Sequence, residues 1–401
     1  MKIGILKETK VPQDNRVPLT PSQCARLKEE NPEMEIFVQP CAYRCYSDDE
    51  YRYQGIEIKE DLKECEVLLG VKEIPPDYLI PNRTYFLFSH TIKKQPHNKK
   101  LLRAFLDKNI RLIDWEALTD EKGKRLIAFG RWAGIVGAYH AIRMIGLRTG
   151  LFSIKQMSEC RNFAEAQREL TNLKLPVFKI VLTGTGRVSD GADFLLNLMG
   201  IKKVSPYNFC YNDFEESVYT QLASGDMYHR EGFEKFDHSD YRAHPEMYHS
   251  NFYPFTKASD VLINGIYWDK RIPVFFNKEQ MKEKDFRIKI ISDITCDIAP
   301  DASIPSTLQP STISDPYYGY DPHQESVISP FGNNSIDVMA VDNLPNELPR
   351  DASEDFGNML ISRILPELKK SESKILYNGT ITIGGKLNLP YQYLSDYASA
   401  N

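Results

Sequence analysis

Short apolar runs alternate with amphipathic stretches along this chain. Met1–Leu6, Glu35–Gln39, Val67–Val71, Thr84–Phe88 and Ile110–Asp114 each read as a short strand. Between the first two, Thr20–Glu30 opens on Thr-Pro and continues at helical spacing, which predicts a helix start at that point. Phe129–Leu147 carries Gly130, Gly134, Gly137, Ala138 and Gly146, a helix with small residues for close packing that crosses from one domain to the next. Residues 151–178 read as a polar helix and linker. Strands follow at Ile180–Thr183, Lys202–Ser205, Asp260–Tyr267, Ile288–Asp293 and Ile336–Val341. Residues 298–335, rich in Pro, Ser, Thr, Asp and Gly, read as a long ordered loop near a site. After the turn at Asn343-Leu344-Pro345, Arg350–Leu368 shows helical spacing and crosses back to the first domain. Strands alternating with helices predict an α/β fold, and 401 residues predict two domains.

One stretch carries recognisable chemistry. In KIVLTGTGRVSDGADFLLNLMGI, the strand Ile180–Thr183 runs into Gly184 and Gly186, and Phe194, Leu195, Leu196, Leu198 and Met199 supply an apolar helix face. Strand, glycine turn and helix form the context of a dinucleotide-binding loop. Gly184 allows the tight turn, and Gly186 lets the backbone approach a pyrophosphate at the helix N-terminus. The third fingerprint position is Ser189, not glycine. The expected cofactor set is therefore Gly184, Thr185, Gly186, Arg187, Val188 and Ser189, with Asn264, Gly265 and Asp293 on the later strands. About 20 residues past the first glycine, an NAD site places a carboxylate on the ribose. Ser205 stands there, with Lys202 and Lys203 nearby, so NADP(H) is favoured over NAD(H).

Composition narrows the partners. With 42% hydrophobic and 26% charged residues the chain is that of an ordinary soluble globular protein. A net charge of −5 argues against nucleic acid, and no apolar run reaches the length of a membrane span. Seven cysteines without a CxxC pair, and an N-terminus without a signal-peptide core, suggest reduced thiols in the cytoplasm. His229, His238, His244 and His249 fit no zinc spacing, so no metal is expected.

In parallel α/β sheets, functional residues gather beyond the carboxyl ends of strands. Lys72, His90 and Glu116 each follow a predicted strand and are read as one site. Lys93, Lys94, Lys99 and Lys100 read mainly as a solvated helix face.

The opening KETKVPQDNRVPLTP resembles the start of the alanine dehydrogenase, transhydrogenase and saccharopine dehydrogenase superfamily. GVKEIP, FSHTIKKQ, LIDWEALTDEKGKRLIAFGRWAG, GTGRVSDGA, LINGIYW, SDITCDIAPDASIPST and VDNLPNELPRDASEDFG narrow the resemblance. They are similar to lysine-forming saccharopine dehydrogenases, and more so to the lysine–2-oxoglutarate reductase domain of aminoadipic semialdehyde synthases. The likeness implies two Rossmann-like domains with parallel sheets and an active-site cleft between them. Residues 1–134, completed by 344–401, would form the substrate domain, and 135–343 the NAD(P)-binding domain.

The implied reaction condenses the ε-amine of lysine with 2-oxoglutarate and reduces the imine to saccharopine, with NADPH usual in the reductase branch. Lys72 and His90 match the family's acid–base pair, and Arg16 the arginine that meets a substrate carboxylate. Glu116 matches a carboxylate that holds the substrate ammonium or tunes Lys72. Glu73 matches the saccharopine dehydrogenase pattern, though the reductase branch often has another residue there. Asp297 falls where the superfamily keeps an aspartate near nicotinamide and substrate, with Asp293 the neighbouring candidate. Oligomeric state is open, a homo-oligomer included, and a separate saccharopine-cleaving dehydrogenase is the implied functional partner. The alternatives are a related amino-acid dehydrogenase or imine reductase, or an inert NAD(P)-binding homologue.

Overall fold

The computed structural model describes residues 1–171 and 173–399; Ala400 and Asn401, the end of the expected 344–401 stretch, lie outside the described residues. In chain order the strands are β1 (Lys2–Ile5), β2 (Glu35–Val38), β3 (Glu57–Ile58), β4 (Val67–Leu69), β5 (Thr84–Leu87), β6 (Arg111–Asp114), β7 (Lys179–Thr183), β8 (Lys202–Lys203) and β9 (Val218–Leu222). Then come β10 (Tyr228–His229), β11 (His249–Ser250), β12 (Val261–Asn264), β13 (Ile290–Asp293), β14 (Tyr317–Asp321), β15 (Ser326–Ile328), β16 (Ile336–Met339), β17 (Thr380–Ile383) and β18 (Lys386–Leu387). The chain divides into two compact units, 1–129 with 349–401, and 130–348. Among the described residues no helix is long and apolar enough to cross a membrane.

The first unit is built on an eight-stranded sheet ordered β18-β17-β6-β5-β4-β1-β2-β3. β1 to β6 pair in parallel, and β17 joins β6 antiparallel. Their buried runs, such as Val67–Leu69 and Tyr85–Leu87, are apolar without alternation, as expected of strands covered on both faces. The helix Pro21–Glu30 starts where Thr-Pro predicts it: Thr20 and Gln23 form a reciprocal capping box. The returning C-terminal segment is integral to this unit. Phe356 stacks on Phe129 with ring centroids 4.4 Å apart, and Ser353 Oγ accepts from the Val17 amide at 2.9 Å. β17 and β18 have no counterpart in the sequence reading.

The second unit carries an eight-stranded sheet ordered β15-β14-β16-β13-β12-β7-β9-β8. The six strands from β16 to β8 are parallel to their neighbours, and β14 runs antiparallel to both β15 and β16. Most of the expected 298–335 loop is loop, but it contains the strands β14 and β15; its Pro, Ser and Asp content hides the aromatic run Tyr317-Tyr318-Gly319-Tyr320. The glycine-rich helix, Gly130–Thr149, packs on the helix Arg187–Leu198 at very close range. A Cβ on Gly134 would lie 1.7 Å from the Val188 carbonyl oxygen, and one on Gly191 would lie 2.0 Å from that of Arg131. Only glycine admits this approach.

Candidate functional site

Each unit gathers some of the expected site residues. In the first unit the cluster sits beyond the carboxyl ends of β4, β5 and β6. Lys72 and Glu73 follow β4, His90 follows β5, and Glu116 follows β6; all four are half-buried. His90 holds a left-handed backbone, φ 51°. This conformation is uncommon outside glycine, although histidine is among the residues that tolerate it, and it is a recurring mark of functional loops. His90 Nδ1 is hydrogen-bonded to Glu73 Oε1. Burial pushes the Glu73 carboxyl up, but the His90 hydrogen bond and charge, with backbone and Lys10 contributions, outweigh it and hold the group down at about 2.

Burial pushes the Lys72 ammonium below its ordinary 10.5, and the Arg16 and Lys10 charges lower it further against Asp14 and Glu73. Burial raises the Glu116 carboxyl, but Lys93, Arg125 and His90 charges pull it below its ordinary value. Lys93 Nζ and Arg125 Nη2 each lie 3.3 Å from Glu116 Oε1. The other oxygens, Glu73 Oε2 and Glu116 Oε2, are buried and accept no hydrogen bond among the described residues. Glu73 Oε2 lies 3.7 Å from the Lys10 ammonium, which leaves Glu116 Oε2 as the buried acceptor in want of a donor, an oxygen suited to an ammonium group. Arg16 is buried, its guanidinium 4.1 Å from the Phe129 ring centroid; its Nε donates to Asp14 Oδ1 at 2.9 Å, and Nη2 donates to Asp14 Oδ2.

Two positioning residues escaped the sequence reading. Glu8 accepts from the Val71 amide through Oε1 at 2.6 Å and from the Lys72 amide through Oε2 at 2.9 Å. Buried Asp114 accepts from the Ser89 amide at 3.0 Å and from the Glu116 amide at 2.8 Å, so it ties together the turns that carry His90 and Glu116. Asp114 closes an apolar strand, and a carboxylate there was a usable signal; Glu8 gave none, lying in a charged run.

In the second unit, the glycine loop follows β7. Gly184 has φ 90°, a conformation that favours glycine, and its amide donates to Leu222 O at 2.8 Å. Thr185 and Gly186 are exposed, and a Cβ built on Gly186 meets nothing within 4 Å. Gly186 caps the helix Arg187–Leu198, whose first turn holds Arg187, Val188 and Ser189. A helix start beneath an open glycine fits a pyrophosphate. Ser189 at the third fingerprint position has a clear task. Its hydroxyl donates to Thr183 O at 2.8 Å and lies 3.1 Å from Gly265 O, and a Cβ on either Gly184 or Gly265 would come within 2.7 Å of it. The hydroxyl thus ties together the ends of β7 and β12.

Asn264 and Asp293 are buried and mutually satisfied. Asn264 accepts from Thr183 Oγ1 at 2.7 Å and donates to Asp293 Oδ1 and Ser303 Oγ, both at 2.9 Å. Asp293 also accepts from Thr295 and Thr307 hydroxyls, at 2.7 and 2.6 Å, and burial pushes its carboxyl up. Asp293 is thereby occupied in joining strand ends, whereas Asp297, four positions on, is half-exposed. The four histidines at 229, 238, 244 and 249 are all exposed.

One expectation needs correction. The Ser205 reading takes the strand after the glycine-loop helix to be the neighbour of β7. The neighbour is β9, with Thr183 opposite Leu222, and β8 lies beyond it with Lys203 opposite Tyr219. Ser205 is exposed at the sheet's outer edge and caps the helix Pro206–Tyr211, accepting from the Asn208 amide at 3.3 Å. Lys203 is engaged with Asp193 at 2.7 Å.

Comparison with known proteins places this geometry. Residues 4–136 match the model of the alanine dehydrogenase/PNT N-terminal domain. The chain is 31% identical over a 448-residue alignment to alpha-aminoadipic semialdehyde synthase of Arabidopsis thaliana, covering all of this chain and 42% of that protein. It thus spans less than half the length of that relative. It is 26% identical over 391 residues to saccharopine dehydrogenase [NAD(+), L-lysine-forming] of Emericella nidulans, covering 93% of each. Among solved structures, an L-alanine dehydrogenase superposes with a TM-score of 0.65 at 15% identity, covering 100% of both chains. The fold is that of alanine dehydrogenase. Residues 4–136 are similar to the alanine dehydrogenase/PNT N-terminal domain, and along its length the chain is similar to saccharopine dehydrogenases and to part of aminoadipic semialdehyde synthases.

Proposed function

We propose that this protein is an oxidoreductase of amino-acid metabolism that interconverts L-lysine plus 2-oxoglutarate with saccharopine, using NADP(H) in preference to NAD(H). The observation that carries the reading is the Lys72, Glu73, His90 and Glu116 cluster: a lysine lowered by burial and cations, beside a carboxylate–histidine pair. That is the equipment of proton transfer to and from nitrogen and oxygen.

The buried Oε2 of Glu116 receives the ε-ammonium of the substrate lysine. Lys72, its pKa lowered by burial and by the Arg16 and Lys10 charges, takes its proton, and the free amine attacks the keto carbon to form a carbinolamine. Glu73 keeps a proton on His90 Nδ1, so His90 exchanges protons at Nε2, and a proton delivered to the carbinolamine oxygen releases water and leaves the imine. Arg16, whose Nε and Nη2 are paired with Asp14, is the arginine that the resemblance assigns to a substrate carboxylate. Residues of the glycine loop, Gly184 to Ser189, hold the dinucleotide, which when bound supplies the hydride for the imine carbon. Asp297, half-exposed beyond β13, is the carboxylate that the resemblance assigns to the nicotinamide and substrate region.

The fungal relative's name specifies NAD(+), so the NADP(H) preference rests on this chain's own ribose region. Incubation with lysine, 2-oxoglutarate and NADPH, followed by mass spectrometry, should yield saccharopine; failure with this pair alongside reduction of another amine and keto-acid pair would reassign the substrate.

A further inference from the structure

The dinucleotide reading leaves open which residues meet the adenosine ribose. In a doubly wound sheet that sugar lies at the carboxyl end of the strand next to the glycine-loop strand, where a carboxylate selects the 2′-hydroxyl and its absence admits a 2′-phosphate. Chain order alone points to Ser205, but the strand beside β7 is β9. The end of β9 is stitched to the glycine turn on two sides: Leu222 O accepts from the Gly184 amide at 2.8 Å, and Gln221 Nε2 donates to Gly184 O at 3.0 Å. With Thr183 opposite Leu222, the next residue, Ala223, stands level with Gly184. Ala223 is extended, and both it and Ser224 are half-exposed. The nearby carboxylate, Asp226, is folded back onto the Ala223 amide at 2.8 Å. Ser205, by contrast, is two strands out from β7, about 10 Å at the usual spacing, and its hydroxyl is used as a helix cap.

We propose that Ala223 and Ser224, not Ser205, read the 2′ position of the adenosine ribose, and that Ala223 occupies the place where a carboxylate would impose NAD(H). The proposal rests on the dinucleotide reading of the glycine loop and deepens it. An aspartate at 223 would repel a 2′-phosphate and accept hydrogen bonds from an unphosphorylated ribose.

The test is titration of NADPH and of NADH into the whole chain, by calorimetry, for wild type, Ala223→Asp, Ser224→Asp and Ser205→Asp. Aspartate is itself a good cap, so the last variant keeps its helix. Either aspartate at the end of β9 should weaken NADPH tenfold or more and leave NADH as tight or tighter, while Ser205→Asp changes each affinity by less than about twofold. Two variants guard against one failing to fold. A ratio of affinities moved by Ser205→Asp, or unmoved by both β9 variants, overturns the inference and leaves the dinucleotide reading standing. Binding of neither nucleotide by wild type overturns both.

Discussion

Glu8 grips the backbone of Lys72: one carboxylate oxygen accepts from the Lys72 amide at 2.9 Å and the other from the Val71 amide at 2.6 Å. β1 and β4 are neighbours, so a residue just past the first fixes the turn just past the second. Glu8→Gln turns one acceptor into a donor facing an amide. We expect turnover to fall about 10- to 100-fold, the scale of a small misplacement of a reacting group, with nucleotide affinity unchanged. Unaltered turnover would show that the grip does not position Lys72.

Lys72→Met and His90→Gln should lower turnover by about 100-fold or more, the usual worth of general acid–base catalysis, and leave nucleotide affinity intact. Normal turnover in both variants would remove the pair from the chemistry.

Lys72 also dictates a pH profile. Its folded pKa lies below 10.5, first through burial and then through Arg16 and Lys10. The neutral, active form therefore grows as pH rises through that lowered value. Lys10→Gln removes one of the cations, so the rising limb of the profile should move to higher pH; a limb that stays in place contradicts the electrostatic account.

Glu73 makes the opposite kind of prediction, about stability. Its folded value of about 2 lies below the ordinary 4.5. A depressed carboxylate stabilises the fold above the unfolded value, and the contribution is lost as pH falls through the folded one. Urea midpoints of wild type and Glu73→Gln should differ most above about 4.5 and converge towards about 2. A gap that persists at the acid end would mean that the variant acts through packing.

Gly186 and Gly191 separate binding from folding. A side chain at 186 meets nothing in the protein, so Gly186→Val should keep wild-type stability and lose nucleotide binding. A side chain at 191 runs into the Arg131 carbonyl, so Gly191→Val should cost about 3 kcal/mol of stability in denaturant titration.

The strands that carry the first cluster were legible because their apolar runs are uninterrupted, and Lys72, His90 and Glu116 stand out by following such runs. The glycine loop was legible by its spacing. β9 was not: Val218-Tyr219-Thr220-Gln221-Leu222 lies in a stretch crowded with charged and aromatic residues, and its polar Thr220 and Gln221 break the apolar signal. Missing it misplaced Ser205, because sheet order is a long-range property that local pattern does not encode. β17 and β14 were missed for a related reason. β14 follows a Pro- and Ser-rich loop and β17 directly follows the helix Lys374–Gly379; both join their sheets antiparallel, and tertiary pairing decides them.

The central claim is reduction of an imine formed from lysine and 2-oxoglutarate, and its most direct test is the loss of NADPH absorbance on mixing the chain with both substrates. Oxidation that requires lysine and 2-oxoglutarate together, and that disappears in Lys72→Met, is the predicted result. NADPH that stays reduced with both substrates present, in a chain shown by calorimetry to bind it, would contradict the account.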